Sequence, residues 1–276
     1  MLRTGVDLTV IEQPLYLSRT MFECKLEQTV LFKKVVAAVL DIVKEGNFDL
    51  SDEGIRVQTM DTTHVALVQM ELKESAFDEF RCDRESCVGI NFEALTKLLK
   101  LCRDDDSLSL KKEEDCDTLT ITSAGEGRAV ECDMNLMDIE SEQLGVPDCE
   151  YSCEIKMKCS QFAKICRDLK DCGGENLRID CDKNSVKFSM KCDGHVKSSS
   201  IKLEHDVEIT HCREAVENLC FSLRYLLMFT NKACALSDDV TLRLSAETPL
   251  MIDYCVADSP EKGFVRYFLA PKLDDE

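Results

Sequence analysis

The sequence predicts an α+β fold made of two pseudo-repeated units, each reading β-α-β-β-β-α-β-β-β, and three observations lead there. The hydrophobic period switches between about 2 and about 3.6 residues in the same order in both halves. An acidic stretch without either period, residues 138–150, separates the halves. Positive charge, in an otherwise acidic chain, gathers on the four segments with helical period.

The regular pattern begins at Met21. Phe22, Cys24 and Leu26 alternate with Glu23 and Lys25, the period of a half-buried strand. Phe32, Val35, Val36, Val39, Leu40 and Val43 then recur at helical spacing, predicting a helix over 32–44. Asp52, Glu53 and Gly54 are turn formers between strands at 47–50 and 55–60. Strands follow at 65–72 and 79–83. A second helix over 91–101 places Phe92, Leu95, Leu98 and Leu99 on one side. Strands at 107–111, 118–122 and 129–136 close the first unit. In the second, a strand at 151–157 precedes a helix over 160–171 with Phe162, Ile165, Cys166 and Leu169 inward. Strands at 177–180, 185–190 and 198–203 surround a turn at Asp182, Lys183 and Asn184. A helix over 219–232 comes next, then strands at 240–244, 250–256 and 264–268. Asn91-Phe92-Glu93-Ala94-Leu95 and Cys220-Phe221-Ser222-Leu223-Arg224 fill the same slot. The chain therefore divides into a first domain over 21–137, a connector over 138–150 and a second domain over 151–276. Residues 1–20 stand outside the pattern as an N-terminal extension, with Met21 a candidate start. Arg3, Asp7, Glu12, Pro14 and Arg19 interrupt any secretory-signal core there.

Charge divides along the same lines. The four helical segments carry ten basic residues against four acidic ones, a net of +6 in a chain of −19. Such a molecule repels nucleic acid over most of its surface and offers phosphates four equivalent elements. Lys97 and Lys100 are three apart, as are Lys164 and Arg167, so each pair shares a helix face.

Composition excludes several classes. Apolar content of 44% with 32% charged residues suits a soluble globular chain, not a disordered one. No apolar run approaches the roughly 20 residues of a membrane helix. Tryptophan is absent, which argues against an aromatic-lined single-strand or sugar site. The 17 cysteines are odd in number, scattered, and never spaced C-x-x-C. They read as reduced, small core residues in a reducing compartment, not as a zinc or disulfide framework. Asp104-Asp105-Asp106 and Glu113-Glu114-Asp115 are contiguous acidic runs beside strand ends, unlike ligands converging from separate elements. His64, His195, His205 and His211 have no recognisable nucleophile partner, and no glycine-rich phosphate loop occurs. No catalytic residue, metal or cofactor is expected.

Eight further stretches stand in order between Met21 and the C-terminus: Lys33-Lys34, Met60-Asp61 with His64-Val65, Arg81-Cys82-Asp83-Arg84, Leu136-Met137-Asp138, Glu142-Gln143-Leu144-Gly145-Val146-Pro147, Ile165-Cys166-Arg167-Asp168-Leu169, Leu223-Arg224-Tyr225-Leu226 and Leu269-Ala270-Pro271-Lys272. Together they resemble the eukaryotic sliding clamps of the proliferating cell nuclear antigen family. The resemblance implies the DNA-clamp fold and a closed homotrimeric ring, with helices lining the hole and sheets outside. It implies a processivity factor that encircles duplex DNA in the nucleus and has no catalytic activity of its own. Polymerases, nucleases, ligase and a clamp loader would attach through a short hydrophobic motif. Residues facing the DNA backbone would be Lys33, Lys34, Lys97, Lys100, Lys164, Arg167 and Arg224, making sequence-independent contacts. The client pocket would comprise Met60, Val65, Leu144, Val146, Pro147, Pro249, Phe268, Ala270 and Pro271. The subunit joint would pair strand 129–136 with 198–203 of the next chain, through Cys132, Met134, Ser199, Ile201 and Leu203. Lys183 matches the family's ubiquitin-acceptor lysine.

The chain departs from the family's pattern at a few positions. Leu40, Asn135 and Asn231 stand where basic residues are common, Cys132 where an aromatic is frequent, and Phe268 in place of tyrosine. The alternatives are a subunit of a heterotrimeric damage-signalling clamp and a metal-dependent phosphoesterase built on the acidic runs.

Overall fold

The computed structural model describes residues 20–140, 150–192 and 195–272. In the first half, strand β1 (Thr20–Leu26) leads into helix α1 (Val30–Leu40). Five strands follow: β2 (Glu45–Ser51), β3 (Gly54–Met60), β4 (Ala66–Lys73), β5 (Glu79–Cys82) and β6 (Ser86–Asn91). Helix α2 (Phe92–Leu99) then precedes β7 (Ser107–Glu113), β8 (Thr118–Gly125) and β9 (Arg128–Asn135). The second half repeats this. Strand β10 (Cys153–Lys158) and helix α3 (Cys159–Asp171) are followed by β11 (Asn176–Cys181), β12 (Val186–Lys191), β13 (Ser198–Leu203), β14 (Glu208–Cys212) and β15 (Val216–Ser222). Helix α4 (Leu223–Asn231) then leads to β16 (Asp239–Leu244), β17 (Leu250–Cys255) and β18 (Gly263–Leu269).

The α+β repeat is as expected, but each unit holds five strands between its helices. The sequence reading lacks β6, β14 and β15. Strand β15 runs straight into α4 with no turn residue, so positions 219–222 share an apolar run with the helix. Pairing with β11, Leu177 opposite Phe221 and Ile179 opposite Leu219, makes them strand. Helix α4 therefore starts at Leu223 instead of 219. Strand β6 is short and contains Gly89, where an added Cβ would lie 2.2 Å from the Met137 carbonyl oxygen. That close approach lets the segment after β9 bridge onto β6, with Met137 N donating to Gly89 O at 2.9 Å.

Local chemistry fixes the other boundaries. The Asn91 side chain caps α2 by accepting from Ala94 N at 2.8 Å. Helix α3 stops at Gly173, whose φ of 91° only glycine adopts readily. The β2–β3 hairpin turns through Gly54 at φ 142°, where any Cβ would meet the Leu72 carbonyl at 2.1 Å.

The strands form three sheets, ordered β5-β1-β7-β8-β9, β14-β10-β16-β17-β18-β4-β3-β2-β6 and β13-β12-β11-β15. The nine-stranded sheet joins the halves where β18 pairs with β4, from Gly263 opposite Leu72 to Leu269 opposite Ala66. Helix α1 packs on α2, α3 on α4, and α1 on the 3-10 turn Ala233–Ala235 that follows α4. The four helices thus make one row over the sheets. Alternation seals the layer between: Ala66, Val68, Leu250, Ile252, Tyr267 and Leu269 all point at the helices and are buried. Tyr267 of the second half donates to the Ala38 carbonyl of the first at 3.0 Å and stacks on Phe229.

Candidate functional site

The helix row carries the cations. Within the helix bounds stand seven basic residues against three acidic ones, so the excess survives the trimmed ends. The structure then sorts them. Lys33 is half-buried, and its Nζ donates to the Cys102 carbonyl and to Asp104 Oδ1, both at 2.7 Å. It fastens α1 to the turn after α2. Lys164 pairs with Asp168 one helical turn on, at 2.5 Å. Lys34, Lys97, Lys100, Arg167 and Arg224 are exposed and enter no ion pair among the described residues. Of the departures from the family's pattern, Asn231 donates to Asp41 at 3.0 Å and ties the end of α4 to the end of α1.

The opposite face of the nine-stranded sheet carries a small apolar cluster, separate from the main core: Leu67, Met251 and Phe268, with Met60 and Tyr151 packed against them. Register explains it. Met60 of β3 faces Leu67 of β4, Leu67 faces Phe268 of β18, and Phe268 faces Met251 of β17. Four side chains on consecutive strands therefore form one row pointing away from the helices. Polar ladders surround them, such as Arg243 with Glu154 at 2.5 Å and with Asp253 at 3.1 Å.

Of the residues assigned to a client pocket, Met60 and Phe268 belong to this row. Val65 packs against the main core. Pro249, Ala270 and Pro271 are half-buried at the neighbouring strand ends, with Ala270 N donating to the Val65 carbonyl at 3.0 Å. Leu144, Val146 and Pro147 lie outside the described residues. The row also contains Leu67 and Met251, and Tyr151 packs against it, three residues that the sequence reading did not single out. Leu67 and Met251 lie in apolar strand runs, and only pairing register separates their face from the core face.

A second feature escaped the sequence reading. Asp61, in the turn after β3, is buried. Its carboxylate accepts from the backbone N of Thr63, Val65 and Ala66 at 3.2, 2.9 and 2.7 Å. It also accepts from the Thr63 hydroxyl at 2.5 Å and the Tyr225 hydroxyl at 2.7 Å. Burial pushes this carboxyl up, but the hydrogen bonds outweigh it and hold it down at about 2. Tyr225 lies on α4, so one carboxylate joins the halves and shapes the Thr62–His64 turn, where His64 has φ 56°. That turn and Met60 wall a cleft of about 250 Å³ that also touches Ile139 and Glu140, at the start of the connector.

Two terminal strands complete the picture. In β9, Val130, Cys132 and Met134 point inward and Met134 is buried; in β13, Ser199, Ile201 and Leu203 do the same. Each strand is the last of its sheet, so its outer backbone edge is open to another strand. Lys183 is exposed on the β11–β12 turn, which Asp182 braces by accepting from Asn184 N and Ser185 N at 2.7 and 2.9 Å. Among the described residues no three His, Cys, Asp or Glu side chains group to hold a metal, and no helix is long and apolar enough to cross a membrane.

Comparison with known proteins places this geometry. Residues 21–144 match the profile of the proliferating cell nuclear antigen N-terminal domain, and residues 145–272 that of its C-terminal domain. A crystal structure of proliferating cellular nuclear antigen from Entamoeba histolytica superposes with a TM-score of 0.84 at 32% sequence identity. The match covers 92% of this chain and 100% of that one.

Proposed function

The chain belongs to the proliferating cell nuclear antigen family and is a DNA sliding clamp; from that premise we propose how its own residues do the work. Three copies close a ring by adding β9 of one chain to β13 of the next, with Cys132, Met134, Ser199, Ile201 and Leu203 at the joint. The helix row faces the hole. Lys34, Lys97, Lys100, Arg167 and Arg224 meet the duplex backbone directly, and Lys164 does so while paired to Asp168. Lys33 mainly holds α1 in place. The single observation that carries this reading is that five exposed cations without an ion pair among the described residues, Lys34, Lys97, Lys100, Arg167 and Arg224, lie on the helix row, across the sheets from the apolar row.

Weak phosphate contacts suit a ring that must move. Each neutralises charge without reading sequence, and each is screened by salt. Retention then comes from closure, so affinity stays low and sliding stays fast. The outer row is the docking point for client proteins, replication and repair enzymes among them, which insert a short hydrophobic plug and add backbone pairing beside the connector. Phe268 supplies the ring at the floor, and the Asp61–Tyr225 tether holds the wall. The connector over 138–150 separates the two domains. The ring acts in the nucleus as a scaffold without catalysis of its own, and Lys183 offers an exposed acceptor for a ubiquitin-type modifier.

The test is the double reversal Lys97→Glu with Lys100→Glu. Assembly mass should stay unchanged, while stimulation of a polymerase on primed circular DNA falls by about tenfold or more. Full stimulation by the double variant would remove α2 from the DNA-facing wall.

A further inference from the structure

Cys153 opens β10 and Cys212 closes β14, and the two stand directly opposite one another in the antiparallel ladder. Just outside them, Arg213 N donates to the Ser152 carbonyl at 2.9 Å. The cysteine pair therefore takes the next position, without backbone bonds of its own, where facing Cα atoms approach to about 4.5 Å. That falls inside the roughly 4.4–6.8 Å span of a disulfide. The sulfurs already touch, Sγ to Sγ at 3.2 Å, with both residues reduced. Both also crowd one acceptor, the Glu214 carbonyl oxygen, at 3.2 Å from Cys153 and 3.7 Å from Cys212.

Access differs between them. Cys153 is fully buried, whereas Cys212 is half-exposed on the terminal strand of the nine-stranded sheet. Burial pushes the Cys153 thiol well up, which keeps it protonated and shielded from peroxide until its neighbour has reacted.

We propose that Cys153 and Cys212 form a redox-active dithiol that closes to a disulfide under hydrogen peroxide and reopens under a dithiol reductant. The Cys212 thiolate attacks one peroxide oxygen, the O–O bond breaks, and a sulfenic acid forms with loss of hydroxide. The Cys153 sulfur then attacks the sulfenic sulfur, forming the S–S bond and expelling the second hydroxide. The two thiol protons convert both hydroxides to water, so two thiols and one peroxide give one disulfide and two waters. Closure staples β14 to β10 and removes both thiol hydrogens from the Glu214 carbonyl. The turn before β15 loses those two partners as the sheet's end becomes covalently fixed. None of this depends on the ring or its DNA.

The experiment is a peroxide titration of the full chain, followed by alkylation, non-reducing digestion and mass mapping. The first cross-linked peptide should join Cys153 to Cys212, disappear after dithiothreitol, and be absent in Cys212→Ser. Hydrogen exchange at residues 213–215 should change with oxidation in the native chain and not in the variant. A first link from Cys153 to Cys181 or to any other cysteine would overturn the proposal. So would over-oxidation of Cys212 without a link, or no link at all. The mapping on the native chain decides this even where the serine variant folds poorly.

Discussion

On the helix row, Lys97 and the capping Lys100 project from α2, Arg167 from α3 and Arg224 from α4, and none enters an ion pair among the described residues. On the outer sheet face, Met60, Leu67, Phe268 and Met251 occupy one register row and each packs on the next. The first surface is assembled from independent, weak, salt-screened parts. The second is assembled from parts that share their neighbours. Losing one member should therefore cost little on the first and much on the second, which is the behaviour a sliding grip and a docking point respectively require.

The sharpest way to break that contrast is Phe268→Ala. It removes the centre of the row and should lower the affinity of a hydrophobic plug peptide by at least about tenfold. Because the row is sealed by protein from one side only, the stability loss should be about 3 kcal/mol, the low end for such a truncation. Peptide titration calorimetry and denaturant unfolding would check both; unchanged peptide affinity would move the docking point elsewhere.

Asp61→Asn should rank next, at about 1–3 kcal/mol of stability. The sign with pH follows from the depressed carboxyl. A folded-state value of about 2 against an ordinary 3.8 means the stabilisation is fully present above about pH 4. It is lost as pH falls through about 2. The asparagine variant should lack that part of the acid limb, so the two unfolding curves should converge as acid is added. Parallel curves would contradict the tether.

Two single changes sharpen the comparison within the helix row itself. Lys33→Ala should lower stability by about 1 kcal/mol, because the Cys102 carbonyl and Asp104 lose a charged donor. Lys97→Ala should leave stability within about 0.5 kcal/mol and reduce the slope of DNA binding against salt by about 1. Were the two variants to behave alike, the division of these lysines into fastener and contact would fail.

Much of this was legible in the sequence. The helices α1, α2 and α3, the β2–β3 hairpin and the repeat follow from period and turn residues, which are local. The cation excess was legible because it needs only a count. What local pattern could not supply was partner identity. Strand β15 reads as the start of α4 until β11 pairs with it, and Leu67 reads as core until Phe268 stands opposite. Lys33 reads like Lys34 beside it until the turn at Cys102 and Asp104 closes over it from some seventy positions away. Tyr225 gives no sign in sequence of reaching Asp61 in the other half.

The most direct test of the proposed ring is its native mass, measured by light scattering after size exclusion over a dilution series. A species of three chain masses that persists on dilution is the expected result, since β9 and β13 each offer a free edge to the next copy. A monomer throughout the working range, with the fold intact by circular dichroism, would contradict closure by self-association and with it the account of retention on DNA.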